Sequence, residues 1–221
     1  MKILALEFSS LQRSVGLVCQ GDSPGTTIQY EAIETGPRPN KPFEMMEAVL
    51  RQAGIEREQV DRLAVGLGPG SYTGIRAAIG LAQGWQLGRG TTLLGLSSVE
   101  CIVAGAQAAG VSGLVAVVID AQRGEFYLAN YDLTSTQWRE VQALRLASRP
   151  AVTEAEKEGY LVIGPEVLKW FTNGRTIFPC AAILGKLGIN ESKVVPGEQL
   201  EPIYLRATTF VKAPPARILP D

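Results

Sequence analysis

Leu63-Ala-Val-Gly-Leu-Gly-Pro-Gly-Ser-Tyr-Thr-Gly-Ile-Arg-Ala-Ala-Ile-Gly-Leu-Ala-Gln-Gly-Trp85 is the stretch on which the reading of the whole chain turns. Leu63 to Leu67 is a short apolar run, the pattern of a buried strand. Gly68-Pro69-Gly70 breaks it with residues suited to a tight turn. Ser71 and Thr73 are both N-cap residue types, and a helical period runs from Ile75 to about Leu87. Such a strand–loop–helix unit aims backbone N–H groups out of a helix terminus, where an anion or a partner's carboxylate or carbonyl is received. No Gly-Lys-Ser/Thr follows, and Gly68, Gly70 and Gly74 miss the dinucleotide fingerprint by one residue. A helix terminus alone contributes about 0.3–1 kcal/mol, too little to hold a nucleotide without a lysine or metal ligand. A partner-docking corner or a structural turn therefore outweighs a phosphate cradle. The residues left as candidate anion or nucleotide contacts are Glu7, Ser9, Gly70, Ser71, Thr73 and Arg76.

Composition narrows the chemistry. The chain has 221 residues, enough for one large or two small domains, and 46% hydrophobic with 19% charged residues describes an ordinary soluble protein. With 21 Lys and Arg against 22 Asp and Glu, the net charge of −1 argues against nucleic-acid binding over a broad basic face by the chain alone. There is no histidine, which removes Ser-His-Asp and Cys-His catalysis and imidazole metal sites. Three scattered cysteines without C-x-x-C spacing fit a reduced, cytoplasmic setting. No segment reads as a signal peptide or a membrane span.

Outward from the opening stretch, the chain repeats itself. Ile3 to Leu6 is an apolar run closed by Glu7, and a polar turn returns it as Ser14–Cys19. Leu114 to Ile119 is a second apolar run closed by Asp120, and Ala121-Gln-Arg-Gly124 returns it as Glu125–Tyr131. The expected reading is an internal duplication, with Glu7 and Asp120 at matching strand ends across a cleft. A helix is expected from Pro42 to Gly54, a strand over Thr92–Leu96 and a helix over Val99–Ala109. Tyr160–Ile163 with Gly164-Pro165 echoes Leu63–Gly70, with a helix expected over Glu166–Phe171. These divisions give an N-terminal lobe over 1–110, a C-terminal lobe over 111–210 and a loose tail over 211–221.

Five strings in order carry a resemblance: Leu4-Ala-Leu-Glu-Phe-Ser-Ser10, Gly68-Pro-Gly-Ser-Tyr-Thr-Gly-Ile-Arg76, Gly95-Leu-Ser-Ser-Val-Glu100, Ile119-Asp-Ala-Gln-Arg-Gly-Glu-Phe-Tyr127 and Pro202-Ile-Tyr-Leu-Arg206. Together they resemble the TsaB (YeaZ) family. The resemblance implies an α/β protein with the two-lobed actin, Hsp70 and sugar-kinase (ribonuclease H-like) fold, built from duplicated βββαβα units with the second lobe reduced. It also implies a non-catalytic scaffold or activating subunit of the bacterial complex that places threonylcarbamoyl on N6 of adenosine 37 in tRNAs reading ANN codons. The expected partners are a TsaD-type catalytic paralogue and a TsaE-type ATPase, with a homodimer as an alternative assembly and tRNA reached through the complex. ATP and metal are expected in those partners, and this chain is expected to need no cofactor. The rivals are an ATP-dependent phosphotransferase of the same fold and a peptidase acting on its partner. Relatives usually carry Asp-Thr-Ser at the first strand end, where this chain has Glu7-Phe8-Ser9, and His-Ser-Glu at the first helix, where it has Asn40-Lys-Pro-Phe-Glu44.

The two helices flanking the central corner show apolar residues on more than one face. The expected partner surface is an outer stripe of Phe43, Met46 and Leu50 on the first helix and Ile75, Ile79, Ala82 and Gln86 on the second. Small residues such as Ala78 and Gly80 would let helices approach closely.

Overall fold

A computed structural model describes residues 1–21, 26–36 and 41–206. The tail expected over 211–221 and Asn40 lie outside these residues. The first unit opens with three antiparallel strands, β1 (Lys2–Glu7), β2 (Gln12–Gln20) and β3 (Thr27–Thr35). Helix α1 (Pro42–Ala53) leads to β4 (Arg62–Gly66), helix α2 (Tyr72–Arg89), β5 (Thr92–Leu96) and helix α3 (Ser98–Ala108). The sheet order is β3-β2-β1-β4-β5, with β4 parallel to both neighbours. Ile3, Leu4, Ala5 and Leu6 are all fully buried, because β1 is central and covered on both faces, so it reads as an unbroken apolar run.

The second unit repeats this plan. β6 (Gly113–Asp120), β7 (Glu125–Leu133) and β8 (Trp138–Ser148) form the antiparallel meander. Helix α4 (Arg149–Lys157), β9 (Leu161–Gly164), β10 (Arg175–Thr176) and helix α5 (Ala181–Asn190) follow. The order β8-β7-β6-β9-β10 matches the first sheet strand for strand, including the parallel pairs. Where α2 stands in the first unit, the second has only a 3-10 turn over Val167–Lys169, shorter than the helix expected over Glu166–Phe171. This arrangement, duplicated and reduced in the second unit, agrees with the duplicated βββαβα plan expected from the sequence.

The units exchange their last helices. Helix α3 packs Val99, Ile102, Val103 and Ala106 into the core of the second sheet. Helix α5 places Ala181 and Leu184 among Ile3, Ala5, Ala64 and Leu94 of the first. Cys180, the N-cap of α5, contributes no side-chain cap. The first sheet supplies caps instead: Ser14 Oγ accepts from Ala181 N at 2.7 Å, and Glu31 Oε1 accepts from Ala182 N at 2.9 Å. Gly16 makes room for this contact, since a Cβ there would lie 2.8 Å from the Ala181 backbone.

Candidate functional site

The central corner is closed by three glycines that face three consecutive residues. A Cβ at Gly66 would collide with the Glu7 carboxylate, one at Gly74 with the Phe8 carbonyl oxygen, and one at Gly70 with the Ser9 carbonyl oxygen. Gly70 also sits at φ 153°, in the region that favours glycine. Two of the loop's backbone donors are bonded internally: Ser71 N donates to Ser9 O at 2.7 Å, and Gly68 N to Ser98 Oγ at 3.1 Å. Ser71 caps α2 as expected, its Oγ accepting from Gly74 N at 3.3 Å.

Glu7 is turned inward beneath this loop and is 0% exposed. Its carboxylate accepts from Ser9 N at 2.8 Å and from Ser98 Oγ at 2.8 Å. Burial pushes the carboxyl above its ordinary range, and the bonds from Ser9 and Ser98 oppose that rise without cancelling it. Glu7 is therefore not a cleft-facing anion or nucleotide contact, which corrects the expectation from its strand-end position. Asp120, its counterpart, does line the cleft, and its carboxylate accepts from Gln122 N at 2.8 Å and Gln122 Nε2 at 3.0 Å.

Between the units lies a cleft of about 880 Å³. Of the candidate contacts, Ser9, Gly70 and Ser71 line it, whereas Thr73 and Arg76 are exposed on α2 outside its lining. Arg76 instead donates to Tyr72 Oη at 2.7 Å, with its guanidinium 5.1 Å from the Tyr72 ring centroid. Sequence reasoning missed the cleft's aromatic wall, where Tyr72 and Tyr204 stack at 5.5 Å and 23°. Ile203 N donates to Leu67 O at 2.8 Å, which brings this distant segment to the corner. The Pro202–Arg206 string was the available signal, but nothing local said where it would lie.

Opposite the corner, Gln122, Arg123 and Gly124 turn with φ of 64°, 59° and 76°. Two successive left-handed non-glycine residues are uncommon outside tight hairpin turns. Arg206 holds this turn by pairing with Glu125 and donating to Gln122 O at 3.4 Å. Among the described residues no group of three or more His, Cys, Asp or Glu side chains is arranged to hold a metal. Cys180 is no activated nucleophile, because burial pushes its thiol up to about 11.

The second feature is the outer face of α1 and α2. Met46 and Leu50 are 3% exposed, Ile75 and Ala82 0% and Ile79 7%, all packed in the first sheet's core. Gln86 is half-buried, its Oε1 accepting from Gly197 N at 3.0 Å. The expected outer stripe is therefore the inner one, a correction to six of its residues. Amphipathic counting located the apolar stripe of each helix, and the sheet had first claim on it. Phe43 stands out, 68% exposed. It borders a groove of about 310 Å³ with Leu81, Trp85, Gly80, Gly84 and Gly88. A Cβ at Gly80, Gly84 or Gly88 would meet nothing within 4 Å. The chain's own packing gives no reason for glycine at these positions.

The family model described as "TsaD: tRNA N6-adenosine threonylcarbamoyltransferase" matches residues 42–174. The Escherichia coli (strain K12) protein named "tRNA threonylcarbamoyladenosine biosynthesis protein TsaB" is 25% identical over 98% of this chain and 100% of its own length. Its Haemophilus influenzae namesake is 27% identical, covering 98% of both chains. A solved structure described as "YeaZ from Pseudomonas aeruginosa" matches the fold with a TM-score of 0.74 at 24% identity, over 92% of this chain and 99% of its own. No described helix is long and apolar enough to cross a membrane. The chain belongs to the family of the threonylcarbamoyltransferase model and, within it, to the TsaB (YeaZ) proteins.

Proposed function

We propose that this chain is a non-catalytic, activating subunit of the complex that installs threonylcarbamoyl on N6 of adenosine 37 in tRNAs reading ANN codons. It docks a TsaD-type catalytic paralogue through the outer face of α1 and α2, while a TsaE-type ATPase and the paralogue supply ATP chemistry and metal. Family membership and the relatives' names, tRNA threonylcarbamoyladenosine biosynthesis proteins, support this reading.

The observation that carries the docking role is the glycine row. Each glycine in an exposed helix interior costs about 0.8–1 kcal/mol relative to alanine. Gly80, Gly84 and Gly88 bear that cost with open space beside them, next to an exposed Phe43 and a half-buried Trp85. A partner helix laid over the row would use the missing side chains to approach the backbone closely. The buried Glu7 weighs against the phosphotransferase reading, since the acid that ends the first unit's central strand does not face the cleft.

The test is reconstitution with the paralogue and the ATPase, scoring the modified nucleoside by mass spectrometry. Modification should fall to background when this chain is omitted and should also fail with Gly84→Leu. Undiminished modification without the chain would contradict the proposal.

A further inference from the structure

We infer that the mouth of the cleft between the two units is a contact for single-stranded RNA of the substrate tRNA: bases stack on Tyr72 and Tyr204, and the phosphate backbone is met by Arg123. This rests on the tRNA-modification reading above and adds a direct nucleic-acid surface to it.

Charge comes first. The chain carries a net charge of −1, yet the cleft is lined by Arg13, Arg123, Lys169 and Arg206 against Asp120 and Glu166. Lys169 is paired with Glu166 at 2.8 Å, and Arg206 with Glu125. Arg123 is exposed and has no hydrogen-bond or ion-pair partner among the described residues. The left-handed turn at Gln122 and Arg123 presents it beside the cleft at a backbone conformation most side chains avoid.

The second observation is independent of charge. Tyr72 is 57% exposed and Tyr204 40% exposed although their rings stack on each other. Exposed aromatic faces beside cations are the recurring platform for unpaired bases, since every base offers a π-face. The volume of about 880 Å³ suits nucleotides rather than a single ion. Two donors of the Gly68–Ser71 corner, Gly68 N and Ser71 N, are already bonded to Ser98 Oγ and Ser9 O. Arg123 adds an exposed side-chain cation suited to a strand's phosphates.

The experiment is fluorescence anisotropy of the full-length chain with a labelled, unmodified transcript of an ANN-reading tRNA, titrated at several salt concentrations. Tyr204→Ala should weaken binding roughly five- to hundredfold, and Tyr204→Phe, which keeps the ring, should bind like the unaltered protein. Arg123→Asn keeps a residue tolerant of the left-handed turn and should lower the slope of log affinity against log salt by about one. Absence of saturable binding, or affinities unchanged in Tyr204→Ala and Arg123→Asn, would overturn the inference. Tyr204-dependent binding of AMP tighter than that of tRNA would reassign the cleft to a free nucleotide and overturn it equally. Failure here with modification still dependent on the chain would leave the subunit role intact, whereas modification independent of the chain would remove that role whatever the anisotropy shows.

Discussion

The two units share one strand order, and the acids that close their central strands ended up in opposite environments. Glu7 is sealed beneath the Gly68–Ser71 loop by Ser9 and Ser98, whereas Asp120 stays partly exposed at the cleft on the Gln122 turn. Equivalent positions in a duplicated fold are thus not equivalent in chemistry. What separates them is the neighbourhood: three glycines bring the first corner down onto Glu7, Phe8 and Ser9, and an exposed turn carries the second acid outward. In the first unit the strand end serves packing, and the surfaces proposed for recognition are the outer helices and the second unit's side of the cleft.

The sharpest way to break this contrast is Gly74→Ala. Its Cβ would collide with the Phe8 carbonyl oxygen, backbone against backbone, and the corner should lose about 3 kcal/mol in urea unfolding. A loss under about 1 kcal/mol would mean the corner is looser than described.

Next in size is the pH dependence of Glu7. Its folded-state carboxyl lies above the unfolded value because burial disfavours the charge. The folded state therefore holds the proton more tightly, and stability from this group is present at low pH and lost as pH rises from near 4.5 towards the raised value. The unaltered protein should lose thermal stability relative to Glu7→Gln across that rise, because the amide still accepts from Ser9 N. A flat difference between the two melting profiles would show the carboxylate to be better solvated than its burial indicates. The smallest effects belong to the second unit. Asp120→Asn and Gly124→Asn, at half-exposed and open positions, should each change stability by under about 1 kcal/mol.

Much of the fold was legible locally. The apolar runs of β1, β4, β5 and β6, the Pro42 start and Gly54 stop of α1, and the Ser71 cap of α2 were all read from neighbouring residues. What escaped depends on distant partners. Helix α5 is capped by Ser14 and Glu31, from strands more than a hundred residues earlier, so its own sequence announces no start. Strand β8 is an edge strand with mostly exposed residues and little apolar alternation. The inward turn of Glu7 needs Ser98, and the aromatic wall needs Tyr204 anchored on Leu67, contacts that no local window contains. The helix faces were misassigned for a related reason: periodicity marks which residues are apolar together, but not which surface receives them.

The central claim is that the glycine row on α2 is a docking surface, and Gly84→Leu tests it most directly. Its side chain would enter open space, so the isolated chain should melt no lower than the unaltered protein. In analytical ultracentrifugation with the TsaD-type paralogue, the unaltered chain should sediment as a complex and Gly84→Leu as a separate species. A Gly84→Leu chain that still forms the complex with undiminished affinity would contradict the account.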